Sequence, residues 1–470
     1  MDTKMASTLG ELKSSNYQTI PIKEEMRRNL VRRLAEGLPP VDGLVGFEDS
    51  VLPQLSNAIL AGHDIIFLGE RGQAKTRTIR SLVSLLDEWI PIVSGSEVND
   101  DPYAPISRAA KDLVAQMGDQ TPISWIGPDR RYSEKLATPD SSIADLIGEV
   151  DPIKVAQGRY LSDELTLHYG LIPRVNRGIF AVNELPDLAE RIQVGLLNIL
   201  EERDVQIRGY AIRLPLDVML VASANPEDYT NRGRIITPLK DRFGSQIRTH
   251  YPRDIESEIQ IMLAESSDFD LPGIKVEVPR FMQEIVARIS HEARRHPAVN
   301  QRSGVSVRLT VANYEALLAN AIRRTLTNSP DAACVVPRVC DLSALASSTS
   351  GKIEIEAMDE GSDSRVIDQI TKAAILETFR EHCRTDRLAP VVDLFEGERV
   401  VHCGESVSTA EYASIISELG EGSAVVAELA QSTDREVMAS ALELVLEGLH
   451  LTKRLNKDTF GQETTYRSRG

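Results

Sequence analysis

The sequence predicts an α/β fold, a three-layer sandwich with a parallel sheet, followed by a helical lid and a mostly helical C-terminal region. Short apolar runs end in polar or glycine-containing turns, as expected of strands buried on both faces of a parallel sheet. These runs are Ile65–Leu68, Ile179–Val182 and Val218–Ala222. Between and after them, apolar residues recur at helical spacing, which predicts helices that cover the sheet.

Length and composition limit the possible classes of protein. At 470 residues the chain is too long for a single core. Its hydrophobic fraction of 42% and charged fraction of 26% are typical of soluble globular proteins. A formal net charge of −17 argues against nucleic-acid binding as the main role. Neither a signal-type apolar segment nor a run of about 18 apolar residues is found, so we expect a cytoplasmic protein without a membrane span.

All of the cysteines lie in the last third of the chain, at Cys334, Cys340, Cys383 and Cys403. Since no C-x-x-C pair occurs, we expect reduced thiols rather than a disulfide framework. The dipeptides His382-Cys383 and His402-Cys403 would offer four metal ligands if they met. Their spacing matches no zinc pattern, which favours ordinary core and surface residues.

The texture of the sequence divides the chain into four regions. These are an N-terminal segment (1–43), an α/β core (44–252), a helical lid (253–328) and a C-terminal helical extension (329–470). Within the core, a stretch rich in Pro, Gly, Asp and Ser over about 92–140 predicts an insertion. Alternating apolar residues around Arg208-Gly209 predict a β-hairpin over about 205–214.

A glycine-containing loop follows the first apolar run, with the sequence Gly69-Glu70-Arg71-Gly72-Gln73-Ala74-Lys75-Thr76. It nearly matches G-x-x-x-x-G-K-[ST], although Ala74 stands where the second glycine is expected. Gly69 and Gly72 would turn backbone N–H groups towards phosphate oxygens. Lys75 would reach the terminal phosphates, and Thr76 would offer its hydroxyl to Mg²⁺. The alternative is a glycine-rich turn between a strand and a helix.

Polar residues end the other two apolar runs. Asn183 and Glu184 follow the second run, where a carboxylate can act as general base and an amide can order a metal-bound water. Asn225 follows the third run and is a candidate for contact with a γ-phosphate. The alternatives are a polar strand end entering a turn at Pro186, and a simple Asn-Pro turn after Asn225.

Four arginines are further candidates. Arg232, Arg234 and Arg242 precede the run Ile247–Tyr251, and any of them could complete the site of a neighbouring subunit as an arginine finger. Arg308 lies in the first turn of a predicted helix, from which it could fold over bound phosphates. The alternative for Arg308 is a solvated surface arginine.

In this order, the parts resemble the AAA+ ATPases and, within them, the magnesium chelatase I-subunit and MoxR-type clade. The resemblance covers about residues 44–252 and extends more weakly to about 327. It implies an insertion in helix 2 and a hairpin before sensor 1. The motifs that carry it are Gly69–Gly72, Gly148-Glu-Val-Asp-Pro152, Gly170-Leu-Ile-Pro-Arg-Val-Asn-Arg-Gly178, Ala224-Asn-Pro-Glu227 and Leu239-Lys-Asp-Arg-Phe-Gly244.

The resemblance implies ATP and Mg²⁺ as cofactors and assigns a role to each candidate. Lys75 and Thr76 are expected to bind ATP and Mg²⁺, and Glu184 is expected to act as the general base. Asn225 is the expected sensor 1 residue. Arg242 is the expected trans-acting arginine, and Arg308 is the expected sensor 2 residue. Ala74 matches the Ala-Lys-Thr form of MoxR proteins. Asn183 departs from the family's aspartate, so we expect weaker metal binding and slow turnover.

The leading hypothesis is an ATP-hydrolysing ring, expected to be a homo-hexamer, that remodels or loads a partner protein. The resemblance implies a partner with a von Willebrand A domain. One alternative is a nucleotide-gated scaffold with little hydrolysis. Another is an AAA+ transcriptional regulator, against which stand the acidic charge and the lack of a G-A-F-T-G-A loop. Nothing in these residues identifies a tetrapyrrole site.

Overall fold

The computed structural model describes residues 5–150, 166–206, 213–226, 233–269, 271–301, 303–356, 362–384, 387–395, 399–461 and 463–469. The chain divides into two compact units, Met1–His250 and Tyr251–Gly470. The four predicted regions subdivide the chain more finely. The separation of a lid from a C-terminal extension stays a prediction.

The first unit alternates helices and strands. Its helices are α1 (Leu9–Ser14), α2 (Ile22–Ala35), α3 (Val51–Ala61), α4 (Lys75–Ser81), α5 (Arg108–Met117), α6 (Ile143–Leu146), α7 (Leu171–Arg174), α8 (Glu190–Glu202) and α9 (Thr237–Arg242). Its strands are β1 (Ile65–Leu68), β2 (Ile90–Val93), β3 (Ile123–Ile126), β4 (Tyr132–Leu136), β5 (Gly148–Val150), β6 (Leu167–Tyr169), β7 (Gly178–Asn183), β8 (Asp204–Gln206), β9 (Arg213–Pro215), β10 (Val218–Ala224) and β11 (Ser245–Arg248).

A five-stranded sheet of order β11-β1-β10-β7-β4 forms the middle layer of this unit. All of its neighbouring strands are parallel. The carboxyl ends of the strands therefore lie along one edge of the sheet, where ligands bind in folds of this type. This sheet confirms the predicted parallel α/β class.

Alternate residues of the strands enter two different cores, because successive side chains of a strand point to opposite faces. Ile66, Phe180 and Leu220 belong to a core shared with α8. Their neighbours along the strands pack instead with α2, α3 and α4; these are Ile65, Phe67, Ile179, Met219 and Val221. Helices thus cover both faces, which gives the three-layer sandwich that the sequence predicts.

Asp64 fixes the start of β1. Its side chain is 4% exposed and accepts hydrogen bonds from the backbone N of Leu220 at 2.8 Å and from Lys23 Nζ at 2.8 Å. Arg203 donates to the same carboxylate. Burial lowers the pKa of Lys23, while Asp64 opposes that shift. The buried charge is therefore compensated at the amino-terminal edge of the sheet, opposite the phosphate loop.

The stretch interpreted as an insertion contributes a strand to the main sheet. β4 pairs in parallel with β7 at the edge of the sheet. Its residues Tyr-Ser-Glu-Lys-Leu are half-buried or exposed, so they do not form the apolar run that marks the central strands. The remainder of the stretch holds α5 and the antiparallel pair β2-β3.

The predicted hairpin corresponds to β8 and β9, which pair antiparallel from Asp204↔Pro215 to Gln206↔Arg213. Arg208-Gly209, at its expected tip, lie outside the described residues. So do Arg232 and parts of two motifs, namely Asp151-Pro152 and Glu227.

The second unit is mostly helical, as predicted. Its helices are α10 (Ile255–Glu265), α11 (Arg280–Arg295), α12 (Arg308–Asn328), α13 (Leu345–Ser350), α14 (Ser362–His382), α15 (Ala389–Asp393), α16 (Thr409–Glu418), α17 (Ser423–Ala430) and α18 (Arg435–Leu451). Its strands are β12 (Lys275–Val276), β13 (Cys334–Val335), β14 (Val400–Gly404), β15 (Leu455–Phe460) and β16 (Glu463–Ser468).

Helix α18 lies at the centre of this unit, and α14, α16 and α17 pack against it. Its buried residues include Leu442, Val445 and Leu449, which recur at helical spacing. An antiparallel sheet of order β14-β16-β15, which the sequence did not predict, lies beside the helices. Within the described part of the chain, no helix is both long enough and apolar enough to cross a bilayer.

Candidate active site

The predicted phosphate-binding loop connects β1 to α4. All four residues of β1 are buried, and α4 begins at Lys75. Between them, Gly72 and Ala74 have left-handed backbones, with φ angles of 79° and 54°. This conformation suits glycine and costs other residues about 1–2 kcal/mol. The glycine expected at position 74 therefore reflects a backbone requirement, which Ala74 meets with some strain.

Gln73 and Thr249 brace the loop. Gln73 Oε1 accepts hydrogen bonds from the backbone N of Glu70 at 3.0 Å and from Thr249 Oγ1 at 3.1 Å. The backbone N of Thr249 donates to the carbonyl of Leu68 at 2.8 Å. A Cβ added to Gly69 would lie 2.0 Å from Thr249 Oγ1 and 2.4 Å from Gln73 Oε1. The loop is thus built around the absence of a side chain at Gly69.

The side chain of Lys75 folds over the loop and is 6% exposed. Its Nζ donates to the backbone carbonyls of Gly69 at 2.6 Å and Glu70 at 2.9 Å. Carbonyls are neutral acceptors, and an ammonium binds charged phosphate oxygens more strongly. A phosphate entering the loop would therefore compete well for Lys75.

Polar side chains from β7, β10 and α4 meet at the carboxyl edge of the sheet. Asn183 Oδ1 lies 3.4 Å from Thr76 Oγ1 and 3.2 Å from Ser223 Oγ. The backbone N of Glu184 donates to Ser223 Oγ at 3.2 Å. The structure thus brings together three predicted site residues, and Ser223 connects two of them.

Glu184 and Asn225 flank this cluster. Glu184 directly follows β7 in a left-handed conformation, with φ 56° and ψ 51°, and is half-buried. Asn225 directly follows β10 and is also half-buried. The backbone N of Gly69 donates to the carbonyl of Ala224 at 3.2 Å, which ties the loop to this strand end. The roles of Glu184 and Asn225 towards a nucleotide stay predictions.

The oxygens of Thr76 and Asn183 form a donor set that suits Mg²⁺, which prefers hard oxygen ligands. Their separation of 3.4 Å places both beside the phosphate loop. Both groups are neutral, so they attract a cation less than an aspartate would. Thr76 and Asn183 therefore fit the metal, with less electrostatic attraction than a carboxylate-containing site.

A different group of potential metal ligands occurs in the second unit. Among the described residues, Glu284, Glu381 and His382 place their ligand atoms within 4.8 Å of one another. His382 Nε2 lies 2.6 Å from Glu284, and Arg280 and Arg288 pair with the two glutamates. The group is accounted for by ion pairs, and it includes neither cysteine of the two His-Cys dipeptides.

Of the candidate arginines that the structure describes, two are paired with acidic neighbours and the third lies in the second unit. Arg242, 39% exposed, contacts Glu201 and Asp241 at 2.9 Å each. Arg234 Nε lies 3.7 Å from Glu190. Arg308 is the first residue of α12, and its backbone N donates to Ser306 Oγ at 3.1 Å. The roles of these arginines at bound phosphates stay predictions.

Two residues of the site escaped the sequence analysis as functional candidates. Thr249 contacts the loop because β11 and β1 are neighbours, a pairing between segments about 180 residues apart. Ser223 lies between the third apolar run and Asn225 and was not among the candidates. A usable signal was present, because Ser223 is a fully buried hydroxyl in an otherwise apolar strand, and buried hydroxyls need partners.

Comparison with known proteins finds relatives of similar sequence. No family model matches the chain. The chloroplastic magnesium-chelatase subunit ChlI of Nicotiana tabacum is 30% identical over 265 residues, which cover 54% of this chain and 58% of that protein. Magnesium-chelatase subunit ChlI of Nostoc sp. (strain PCC 7120) is 31% identical over 241 residues, which cover 49% of this chain and 59% of that protein.

The chain also resembles a chain in a structure of the complex between subunits BchI and BchD of magnesium chelatase, which is based on a cryo-EM reconstruction. It is 21% identical, with a TM-score of 0.35, and the match covers 69% of this chain and 97% of that one. The two ChlI relatives are matched over less than two thirds of their own length. In sequence the chain resembles the magnesium-chelatase I subunits, and its parallel sheet with a glycine-containing loop after β1 is the AAA+ P-loop type of fold that the sequence predicts.

Proposed function

We propose that this chain is an ATP hydrolase of magnesium-chelatase I-subunit or MoxR type, which works in a ring and remodels or loads a partner protein. The observation that supports the proposal most is the meeting of Thr76, Asn183 and Glu184 beside the loop that holds Lys75. These residues come from separate segments of the chain. A simple strand-to-helix turn would not require polar groups from β7 and β10 at the same edge.

In the proposed reaction, the loop and Lys75 bind the β- and γ-phosphates of ATP. The loop supplies backbone N–H groups at the start of α4, which favour anions. Lys75 then exchanges its carbonyl acceptors for phosphate oxygens. Binding of the triphosphate is therefore assigned to the segment from Gly69 to Thr76.

Glu184 accepts the proton of the water that attacks the γ-phosphorus, and Asn225 holds that water or a γ-phosphate oxygen. The new bond joins the water oxygen to phosphorus, and ADP leaves with the electrons of the broken bond. Both residues follow strands of the parallel sheet. Arg242 of one subunit and Arg308 are proposed to offset charge on the transferred phosphoryl group.

Thr76 and Asn183 would hold Mg²⁺, which when bound screens the phosphate charge and orients the triphosphate. Both of these oxygens are neutral. We therefore propose that metal binding is weaker, and turnover slower, than in a site with an aspartate at position 183.

The ring, expected to be a hexamer, follows from the proposed need for an arginine from a neighbouring subunit. A partner with a von Willebrand A domain follows from the resemblance to chelatase I subunits. Because the two ChlI relatives are matched over less than two thirds of their length, chelatase activity itself is not part of the proposal.

Nucleotide binding and phosphate release test the proposal directly. We expect wild type to bind ATP with Mg²⁺ and release phosphate. Lys75→Ala should lose binding at least about tenfold, since hydrogen bonds to charged groups contribute about 1.5–3 kcal/mol. Lys111→Ala, which removes an exposed lysine of α5, serves as the control and should match wild type. Equal ATP binding by Lys75→Ala and wild type would contradict the proposed site.

The variant Glu184→Gln separates hydrolysis from binding. We expect it to bind ATP normally, release phosphate at least 100-fold more slowly and accumulate as a ring that light scattering can size. The scaffold alternative is favoured by the neutral Asn183. It predicts that wild type already releases phosphate no faster than Glu184→Gln while assembling with ATP.

A further inference from the structure

Ser223 occupies a position between two proposed functional residues. It lies in β10 and is 1% exposed. Its Oγ accepts a hydrogen bond from the backbone N of Glu184 at 3.2 Å. The same Oγ lies 3.2 Å from Asn183 Oδ1. One hydroxyl therefore touches both the proposed general base and the proposed metal ligand.

The chemistry of these groups fixes the direction of each hydrogen bond. A backbone N–H is only a donor, so Ser223 must accept from Glu184 with a lone pair. Asn183 Oδ1 is only an acceptor, so the hydroxyl donates its one proton to that oxygen. The bonds run from Glu184 through Ser223 to Asn183. Thr76 approaches the same Oδ1 at 3.4 Å.

This arrangement selects one orientation of the Asn183 amide. An asparagine presents an oxygen on one side and an NH₂ group on the other, and the NH₂ group cannot bind a cation. In the structure Oδ1 faces the hydroxyls of Thr76 and Ser223, and the proton that Ser223 donates stabilises this orientation. An aspartate has two equivalent oxygens and needs no such selection. A hydrogen-bond donor beside residue 183 therefore matters for the asparagine that is present and would matter less for an aspartate.

Ser223 also holds the backbone that directs Glu184. Glu184 has φ 56° and ψ 51°, a conformation that L-residues seldom adopt. Its N–H is bonded to Ser223, at the point where the chain turns away from β7. Loss of this bond would allow the turn to relax and the carboxylate to move.

We propose that Ser223 is a positioning residue that orients the Asn183 oxygen towards Mg²⁺ and fixes the turn that aims Glu184. The proposal rests on the proposed function of the site. It assigns to Ser223 the compensation for an amide at position 183.

The test is the Mg²⁺ concentration needed for half-maximal binding of a fluorescent ATP analogue. In Ser223→Ala we expect this concentration to rise about fivefold to tenfold, the equivalent of one hydrogen bond. Affinity for the analogue in EDTA should not change. Phosphate release at saturating Mg²⁺ should fall about tenfold, and Ser223→Thr, which keeps the hydroxyl, should restore most of it. Ser56→Ala is the matched control, because Ser56 is also buried and its hydroxyl bonds to Leu52 O at 2.8 Å.

The decisive comparison uses Asn183→Asp. In that background Ser223→Ala should no longer raise the Mg²⁺ requirement, because either carboxylate oxygen can face the metal. A merely structural role would give the same shift in both backgrounds and would overturn the proposal. A Mg²⁺ requirement equal to that of Ser56→Ala would also overturn it.

Two further outcomes are distinguishable. If Ser223→Ala does not fold, Ser223→Cys has nearly the same volume with a weak donor, and it must show the same Mg²⁺ shift. If wild type binds no ATP with or without Mg²⁺, the proposed function fails, and the role of Ser223 fails with it. ATP binding by wild type with an unchanged Ser223→Ala variant removes the positioning role alone.

Discussion

Polar side chains have different kinds of partner in two regions of the molecule. These regions are the carboxyl edge of the sheet in the first unit and the core of the second unit. At the sheet edge, Lys75 donates to backbone carbonyls, and Asn183 contacts hydroxyls. In the second unit, buried carboxylates contact cations: Glu258 pairs with Arg294, and Asp341 with Arg324. Neutral contacts are easily exchanged for a charged ligand, whereas buried ion pairs are costly to break. The first arrangement suits binding, and the second suits a fixed structure.

The largest effect is expected from breaking the Glu258 pair. Glu258 is fully buried and accepts from Arg294 at 2.8 and 3.1 Å, and also from Thr310. Arg294→Met removes the arginine that pairs with the buried Glu258 carboxylate, and breaking a buried pair in this way costs about 3–5 kcal/mol. Arg295→Met is the control, since Arg295 is 71% exposed and lies 3.9 Å from Glu292.

The two units can be followed separately in this experiment. Both tryptophans, Trp89 and Trp125, belong to the first unit. In urea, Arg294→Met should move the transition seen by far-ultraviolet circular dichroism and leave that of tryptophan fluorescence in place. If both transitions move together, the units unfold as one and the contrast between them does not describe stability.

Acid should weaken the second unit through the same pair. Burial alone would raise the pKa of Glu258, but His291, 3.5 Å away, and the hydrogen bonds and charge of Arg294 lower it to about 2. A lowered pKa contributes stability above the ordinary value of 4.5, which is lost as pH falls towards 2. The urea concentration at which half of the second unit is unfolded should therefore decrease as the pH is lowered from about 4.5 to 2.

In Arg294→Met the pKa shift of Glu258 has the opposite direction, because burial raises the pKa of a carboxylate that has lost its arginine. The penalty of that variant should shrink as pH falls from 7 to 4, while that of Arg295→Met stays flat. A constant penalty for Arg294→Met across this range would show that the charge of Glu258 is not its cause.

The central strands and the loop were predictable because their signals are local. The apolar runs of β1, β7 and β10 and the order Gly69 to Thr76 are each contained in a few residues. β4 and the sheet β14-β16-β15 were missed because their strands carry polar residues, most of which are half-buried or exposed. Thr249 and Ser223 reach the site because strands that are distant in sequence pair with each other, and no local pattern in the sequence indicates that pairing.

Gly69 tests whether the loop is as closely fitted as the core of the second unit. A methyl group there would collide with Thr249 Oγ1 at 2.0 Å. We expect Gly69→Ala to cost about 1–3 kcal/mol of first-unit stability and to weaken ATP binding. Gly127→Ala is the control, because its nearest contact would be 3.5 Å away. Tryptophan fluorescence in urea and analogue binding measure both effects, and equal results for the two variants would refute the fitted loop.

The smallest effect is expected from restoring a charge at position 183. Asn183→Asp adds a carboxylate beside Thr76, and opposite charges about 4 Å apart gain about 1 kcal/mol even in water. The Mg²⁺ concentration for half-maximal ATP binding should therefore fall about fivefold or more, while affinity in EDTA should fall slightly through repulsion of the phosphates. Asn16→Asp adds the same charge at an exposed position and should change neither value. An unchanged Mg²⁺ requirement in Asn183→Asp would mean that Asn183 does not face the metal. The contrast between exchangeable and fixed polar groups would then have to rest on Lys75 alone.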